Sequence, residues 1–330
     1  MKSSTKIRLR AILALLGFIG LVIVLLLNRH QLVNCWHLLK SIRWYIVVLI
    51  VIVQLGSYWI NALYYRSILR VYSYNVSLLR LFEGALATNF VNYIVPTIGL
   101  AGAGYLSQVL SPEVPRGEGV LTQLTRYAFS ALAVLLMMPV GIILIFLSNN
   151  SDHAVIRASL LSALAIIIFV VCIVAFIHQE LALRRATKWL FNRLKRFFPK
   201  LKGNPIEFFV NEFYIGYRAM VDQKHRLIAP FVWSIIYIII ELLTFYMAFL
   251  VFGKFVNPGI AIMAYLFANI VSIFGGVFFS TGIFELGMAG TLVTLGEPLA
   301  LAVAVTTVYR VLNLVISLPP GFYFYRQYLP

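Results

Sequence analysis

Two arginines, Arg126 and Arg310, stand well inside long apolar runs, and they are the residues whose chemistry demands an explanation first. A guanidinium at the centre of a lipid bilayer costs at least ~2.5–3.5 kcal/mol even on the lenient insertion scale, so something must offset it. Its five donors, held in a planar fork, fit phosphate or carboxylate. One reading makes the pair phosphate ligands. The other pairs them with buried carboxylates, Glu285 with Arg310 or Glu241 with Arg126, or lets Arg126, near the start of its run, snorkel to the interface. Glu83, Glu241 and Glu285 are the carboxylates at matching depth, and on a sharper reading they serve a proton or a cation. Polar residues cluster near both arginines in sequence order: Asn89, Asn92, Tyr93 and Thr97 in one place, Ser280, Thr281 and Tyr309 in the other. Each alone is an ordinary inter-helix hydrogen-bond residue; together they suggest a polar groove.

The elements that position these residues are helical and membrane-embedded. Hydrophobic residues make up 62% of the 330, and charged residues 12%, about half of what a soluble domain carries; the chain cannot cover a water-facing surface. The apolar runs are continuous, which excludes the alternating strands of a membrane β-barrel. Full spans are expected at 11–27, 44–65, 119–147, 155–177, 228–252 and 299–325. The first, which follows Lys2, Lys6, Arg8 and Arg10, is read as uncleaved, since no small-residue cleavage site succeeds it. Two further apolar stretches, 79–110 and 258–297, are broken by turn formers: Pro96, Gly99, Gly102 and Gly104 in the first, Gly275, Gly276, Ser280, Thr281 and Gly282 in the second. Broken backbone at membrane depth is tolerated only where protein or a wet groove satisfies it. Both stretches are therefore expected as re-entrant hairpins, their tips presenting helix N-termini near Gly102 and Gly282 to an anion.

With both termini cytoplasmic, this topology places 20 of the 27 Lys and Arg residues inside and five outside, Arg126 and Arg310 remaining in spans, a strong positive-inside bias. Span, hairpin and span then occur twice in opposite orientation. The expected fold is an all-α integral membrane bundle of about six spans and two re-entrant hairpins in two inverted repeats. Its parts are a first span and outer loop (1–43), a first repeat (44–177), a basic amphipathic linker (178–227) and a second repeat (228–330). Inverted repeats with broken helices are the sequence pointer to a midplane transport site. In the linker, Arg184, Arg185, Lys188, Arg193, Lys195 and Arg196 crowd the faces left by the apolar one of an amphipathic stretch suited to anionic headgroups. The net charge of +16 is assigned to topology and lipid contact, not to nucleic acid. Cys35 and Cys172 have no metal or disulfide spacing, the five histidines are scattered, and no nucleotide or hydrolase motif stands in a credible context. No cofactor, metal site or catalytic residue is expected.

The order Asn89-x6-Pro96-x2-Gly99-x2-Gly102, then Gly119 to Arg126-Tyr127, resembles the first half of the lysylphosphatidylglycerol synthase membrane-domain family, also called flippase-like proteins. Ser280-Thr281-Gly282-Ile283-Phe284-Glu285, Gly296-Glu297-Pro298 and Tyr309-Arg310 resemble the second. The resemblance implies movement of a lipid between the leaflets of the cytoplasmic membrane. In bifunctional members a soluble aminoacyl transferase makes the lipid; nothing in this sequence corresponds to it. Many members carry Gly-Glu-x-x-Arg after the first break, where this chain has Gly102-Ala103-Gly104-Tyr105-Leu106. The expected ligand is thus an anionic or modified phospholipid or a lipid-linked glycan. A membrane-embedded enzyme acting on lipid phosphates and an accessory subunit of envelope biosynthesis remain as alternatives, as does homo-oligomerisation.

Overall fold

The computed structural model describes residues 42–94, 99–147, 205–275 and 280–328, together with Leu164, Ile168, Val171, Gln179 and Arg185 singly. Every regular element among them is helical: α1 (Trp44–Val71), α2 (Leu78–Ile94), α3 (Leu100–Leu110), α4 (Arg116–Leu147), α5 (Pro205–Asp222), α6 (Ile228–Val251), α7 (Pro258–Gly275), α8 (Ser280–Thr294) and α9 (Leu299–Gln327), with a 3-10 turn over Lys224–Leu227 before α6. Four helices (α1, α4, α6 with its leading turn, and α9) are long and apolar enough to cross a membrane. They match four of the expected spans within a few residues. The spans expected at 11–27 and 155–177 lie outside the described residues, except that Leu164, Ile168 and Val171 are helical and exposed. The two interrupted stretches form helix pairs, α2–α3 and α7–α8.

The helices turn apolar side chains outward and bury a few polar ones among an apolar core. On α1, Trp44, Tyr45, Val48, Leu49, Ile52, Leu55 and Trp59 face outward, a stripe at helical spacing suited to lipid. Gln54, Ser57, Tyr58 and Asn61 point inward and are buried. The core follows the same division. Ile46 and Ile50 join a large apolar cluster with Met138, Phe245, Phe249, Val251 and Met263. Ile68, Leu69 and Val71 join another with Leu81, Leu106, Leu110, Tyr214 and Met220. The buried polar residues of α1 lie between these two clusters.

α1 and α6 run antiparallel. The Arg43 N–H donates to Val251 O at 2.9 Å at one end, Gln54 meets Glu241 midway, and Leu227 packs on the Ile68–Val71 cluster at the other. Both helices stop in the same way, with a left-handed residue (Ser73, φ 66°; Gly253, φ 66°). The following N–H then reaches back to Leu69 O and to Phe249 O, respectively. The remaining packing is also reciprocal: α2 lies on α9 and α7 on α4, while α3 lies on α4 and α8 on α9. α5, within the 178–227 linker, packs on α4 and sends Tyr214 and Met220 into the core.

Glycines after the helix prolines (Pro139 in α4, Pro319 and Pro320 in α9) lie at two close crossings. A Cβ on Gly321 would stand 2.7 Å from Phe90 Cβ and 2.8 Å from Leu86 O; one on Gly141 would stand 2.9 Å from both Ile262 and Met263. Gly321→Ala is expected to destabilise the protein by ~1–3 kcal/mol through overpacking, read as a lowered unfolding temperature in detergent. Gly104→Ala, on an exposed helical position with open space around it, is expected to stabilise it by up to ~1 kcal/mol through helix propensity.

Candidate functional site

α4 enters the polar layer with Gln123, Arg126 and Tyr127, three residues within little more than one turn. The Arg126 guanidinium carbon lies 4.9 Å from the Tyr237 ring centroid on α6 and 5.9 Å from that of Tyr127; Tyr64 and Tyr65 of α1 complete its electrostatic surroundings. Ring faces offset part of the cost of removing the cation from water. The Tyr65 hydroxyl donates to Gln123 Oε1. Three buried polar atoms beside this cage have no hydrogen-bond partner: the Tyr64 hydroxyl, Gln123 Nε2 and Asn61 Oδ1. The first two can donate. Among the described residues no carboxylate pairs with Arg126, so the expected Glu241–Arg126 ion pair is not formed.

The first hairpin is closed by neutral groups. Gly99, at φ 80°, caps α3, and a Cβ there would fall on the Tyr127 ring. The Tyr127 hydroxyl donates to Gly99 O at 3.3 Å. Asn92 donates from Nδ2 to the Tyr127 hydroxyl at 3.2 Å and accepts the Gly102 N–H at 3.0 Å. Gly102, expected in the break, lies in the first turn of α3, and its N–H is already taken. Pro96 and Thr97 lie outside the described residues. Asn89 donates to the buried Tyr58 hydroxyl at 2.8 Å.

The second hairpin is closed by charge. Glu285 Oε2 accepts the N–H of Gly282 (φ 102°) at 2.8 Å, and its Oε1 meets Arg310 Nε at 2.6 Å, both side chains roughly a quarter exposed. A second guanidinium N–H of Arg310 reaches the Tyr93 hydroxyl on the first hairpin at 3.4 Å, and the cation lies 4.9 Å from the Tyr93 ring centroid and 5.4 Å from that of Phe284. Arg310 thus has the carboxylate partner that Arg126 lacks. Ser280 and Thr281 form the first turn of α8.

The matching dipeptides, Arg126-Tyr127 and Tyr309-Arg310, occupy the two helices that follow the hairpins, with their roles reversed. Tyr127 and Arg310 secure the start of the second helix of their own hairpins, Tyr127 at Gly99 and Arg310 through Glu285. Arg126 and Tyr309 turn to α6: Arg126 onto Tyr237, and Tyr309 to donate its hydroxyl to Glu241 Oε2 at 2.9 Å. The two arginines are therefore not equivalent. Glu83 lies away from this layer, accepting the Tyr328 hydroxyl at 2.6 Å at the end of α9. Burial first, then Glu83, pushes that phenol up to about 12, so it remains a neutral donor at physiological pH. Of the basic stretch, Arg185 is helical and exposed; Arg184, Lys188, Arg193, Lys195 and Arg196 lie outside the described residues. Among the described residues no group of three His, Cys, Asp or Glu side chains is placed to hold a metal ion.

The sequence reading missed Gln54, Tyr58, Asn61, Tyr64, Tyr65, Gln123 and Tyr237. A signal was present: Gln54, Ser57, Tyr58, Asn61 and Tyr65 recur at helical spacing on an otherwise apolar span. Residues 11–321 match the family model described as Lysylphosphatidylglycerol synthase TM region. No curated protein and no solved structure matches the chain.

Proposed function

We propose, from the premise that this chain belongs to the lysylphosphatidylglycerol synthase TM-region family and is a multi-pass membrane protein, that it moves an anionic or modified phospholipid, or a lipid-linked glycan, between leaflets. The observation that carries this reading is the state of Arg126: a cation at membrane depth, walled by tyrosines and flanked by unpartnered donors, with no carboxylate against it among the described residues. The phosphate of a headgroup would take the free guanidinium N–H groups, with the Tyr64 hydroxyl and the Gln123 amide as further donors. The acyl chains would stay against the apolar outer faces of the helices.

The reciprocal packing supports two inverted units, α1–α4 and α6–α9, whose hairpins α2–α3 and α7–α8 turn back on opposite faces. α1 and α6 run antiparallel at the centre, and each hairpin's first helix lies on the last helix of the other unit. Rocking one unit against the other would break the Arg310–Tyr93 contact, which bridges the second unit to the first hairpin, and would leave Arg310 on its own hairpin with Glu285. The headgroup site would then face first one leaflet and then the other, in the cytoplasmic membrane with both termini inside.

Reconstituted into vesicles carrying headgroup-labelled lipid, the protein is expected to speed exchange of an anionic phospholipid between leaflets. It should do so more than for a zwitterionic one of the same chains. Equal rates with and without protein would overturn the reading.

A further inference from the structure

Glu241 is a buried carboxylate that the headgroup site does not use. It lies about 20 Å along the axis of α6 from Ile228 and is 4% exposed. Gln54 Nε2 donates to its Oε1 at 3.0 Å and the Tyr309 hydroxyl to its Oε2 at 2.9 Å. Both donors are neutral. The titratable groups that face it are phenols: Tyr58 of α1, Tyr93 of α2, Tyr237 of α6 itself, Tyr265 of α7 and Tyr309 of α9. No arginine, lysine or histidine among the described residues comes within ion-pair reach: Arg310 is spent on Glu285, and Arg126 lies against the Tyr237 ring. An ionised carboxylate buried without a cation is costly.

A second observation points the same way. Gln54 is 2% exposed, and its Oε1 has no hydrogen-bond partner. Turning the amide over about its last bond exchanges the two ends. Oε1 would then stand where Nε2 stands, beside Glu241 Oε1, a contact that holds only with a proton between the two oxygens. The pair therefore makes the same number of hydrogen bonds with Glu241 charged or neutral: the amide donates to the carboxylate or accepts from the acid, and Tyr309 donates in both. What changes between the two states is the buried charge and which end of the Gln54 amide is unpaired.

We propose that Glu241 is a proton-carrying carboxylate that binds and releases one proton in each transport cycle, with the Gln54 amide turning over as it does so. The carboxylate takes a proton from water on one face and returns it to water on the other, and no other bond changes. Coupling to lipid movement rests on the transport reading; reversible protonation of Glu241 does not.

The test uses the full chain in lipid nanodiscs, followed by infrared difference spectroscopy across a pH series. A carboxylic-acid carbonyl band is expected to grow as pH falls and to be absent in Glu241→Gln, which keeps the side-chain shape. In Gln54→Leu the carbonyl band is expected to move in frequency, because the acid no longer has the amide oxygen to donate to. In vesicles, a pH gradient is expected to change the rate of lipid movement by wild type and not by Glu241→Gln. Absence of the band at every pH, a band that pH does not change, or one that Na⁺ erases at fixed pH would overturn the proposal. Lipid movement indifferent to the gradient would overturn the coupling alone. If no lipid moves at all, the transport reading fails, and the infrared titration still decides whether Glu241 carries a proton.

Discussion

Arg126→Ala is expected to slow protein-mediated movement of anionic phospholipid by at least about tenfold while leaving the fold as stable as wild type or more so. A charge-assisted hydrogen bond is worth ~1.5–3 kcal/mol, and the guanidinium is the only described charge in its cage. Stability should not suffer, because a cation at this depth is costly to insert, and Arg126 pairs with no carboxylate among the described residues. Movement of zwitterionic lipid should change less. Arg126→Lys keeps the charge but loses the planar fork, so its rate should fall between the two. The measurements are leaflet exchange in vesicles and the unfolding temperature in detergent, taken on the same preparations. A variant that unfolds while its residual folded fraction moves lipid normally would make Arg126 a structural residue.

Glu285→Ala should have the opposite profile, with a large loss of stability. The carboxylate closes the Gly282 N–H and neutralises Arg310 at once. Removing one partner of a buried pair costs ~3–5 kcal/mol; with each side chain about a quarter exposed, solvent screening reduces this to about 2 kcal/mol. Adding Arg310→Met should restore part of the loss, because the cation left behind is then gone. Unfolding temperatures of the two single variants and the double variant check this. Additive losses would show that the pair is not coupled.

Why some of this could be read from the sequence and some could not is clear from particular residues. The four long helices and both interrupted stretches were legible because continuous apolar runs leave a helix as the only way to pair the backbone in lipid. Gly99 and Gly282 marked the turns, and both have positive φ. Gly102 was read both as part of the break and as a helix N-terminus; it lies in the first turn of α3, where the Asn92 carboxamide accepts its N–H. The Glu285–Arg310 pair was visible as one of two options, and only geometry could choose between them. The reversed roles within Arg126-Tyr127 and Tyr309-Arg310 were not visible, because neighbours on a helix point about 100° apart and small rotations decide which one meets α6. α5 was hidden by composition, since basic residues upstream of it suggest a surface helix whatever Tyr214 and Met220 pack against. The polar stripe from Gln54 to Tyr65 was overlooked because the apolar stretch around it dominates any windowed reading of the span.

The proposed headgroup site depends on the two units facing opposite ways, each hairpin returning to the side it came from. Single cysteines at the exposed positions Asn75 and Ser111, flanking the first hairpin, and Lys254 and Thr294, flanking the second, can be probed with a membrane-impermeant thiol reagent after Cys35 and Cys172 are replaced by serine. Asn75 and Ser111 are predicted to react from the cytoplasmic face only, and Lys254 and Thr294 from the outer face only. Labelling of either pair from two different faces would contradict the mirrored arrangement, and with it the proposal that Arg126 serves a lipid phosphate from alternating sides.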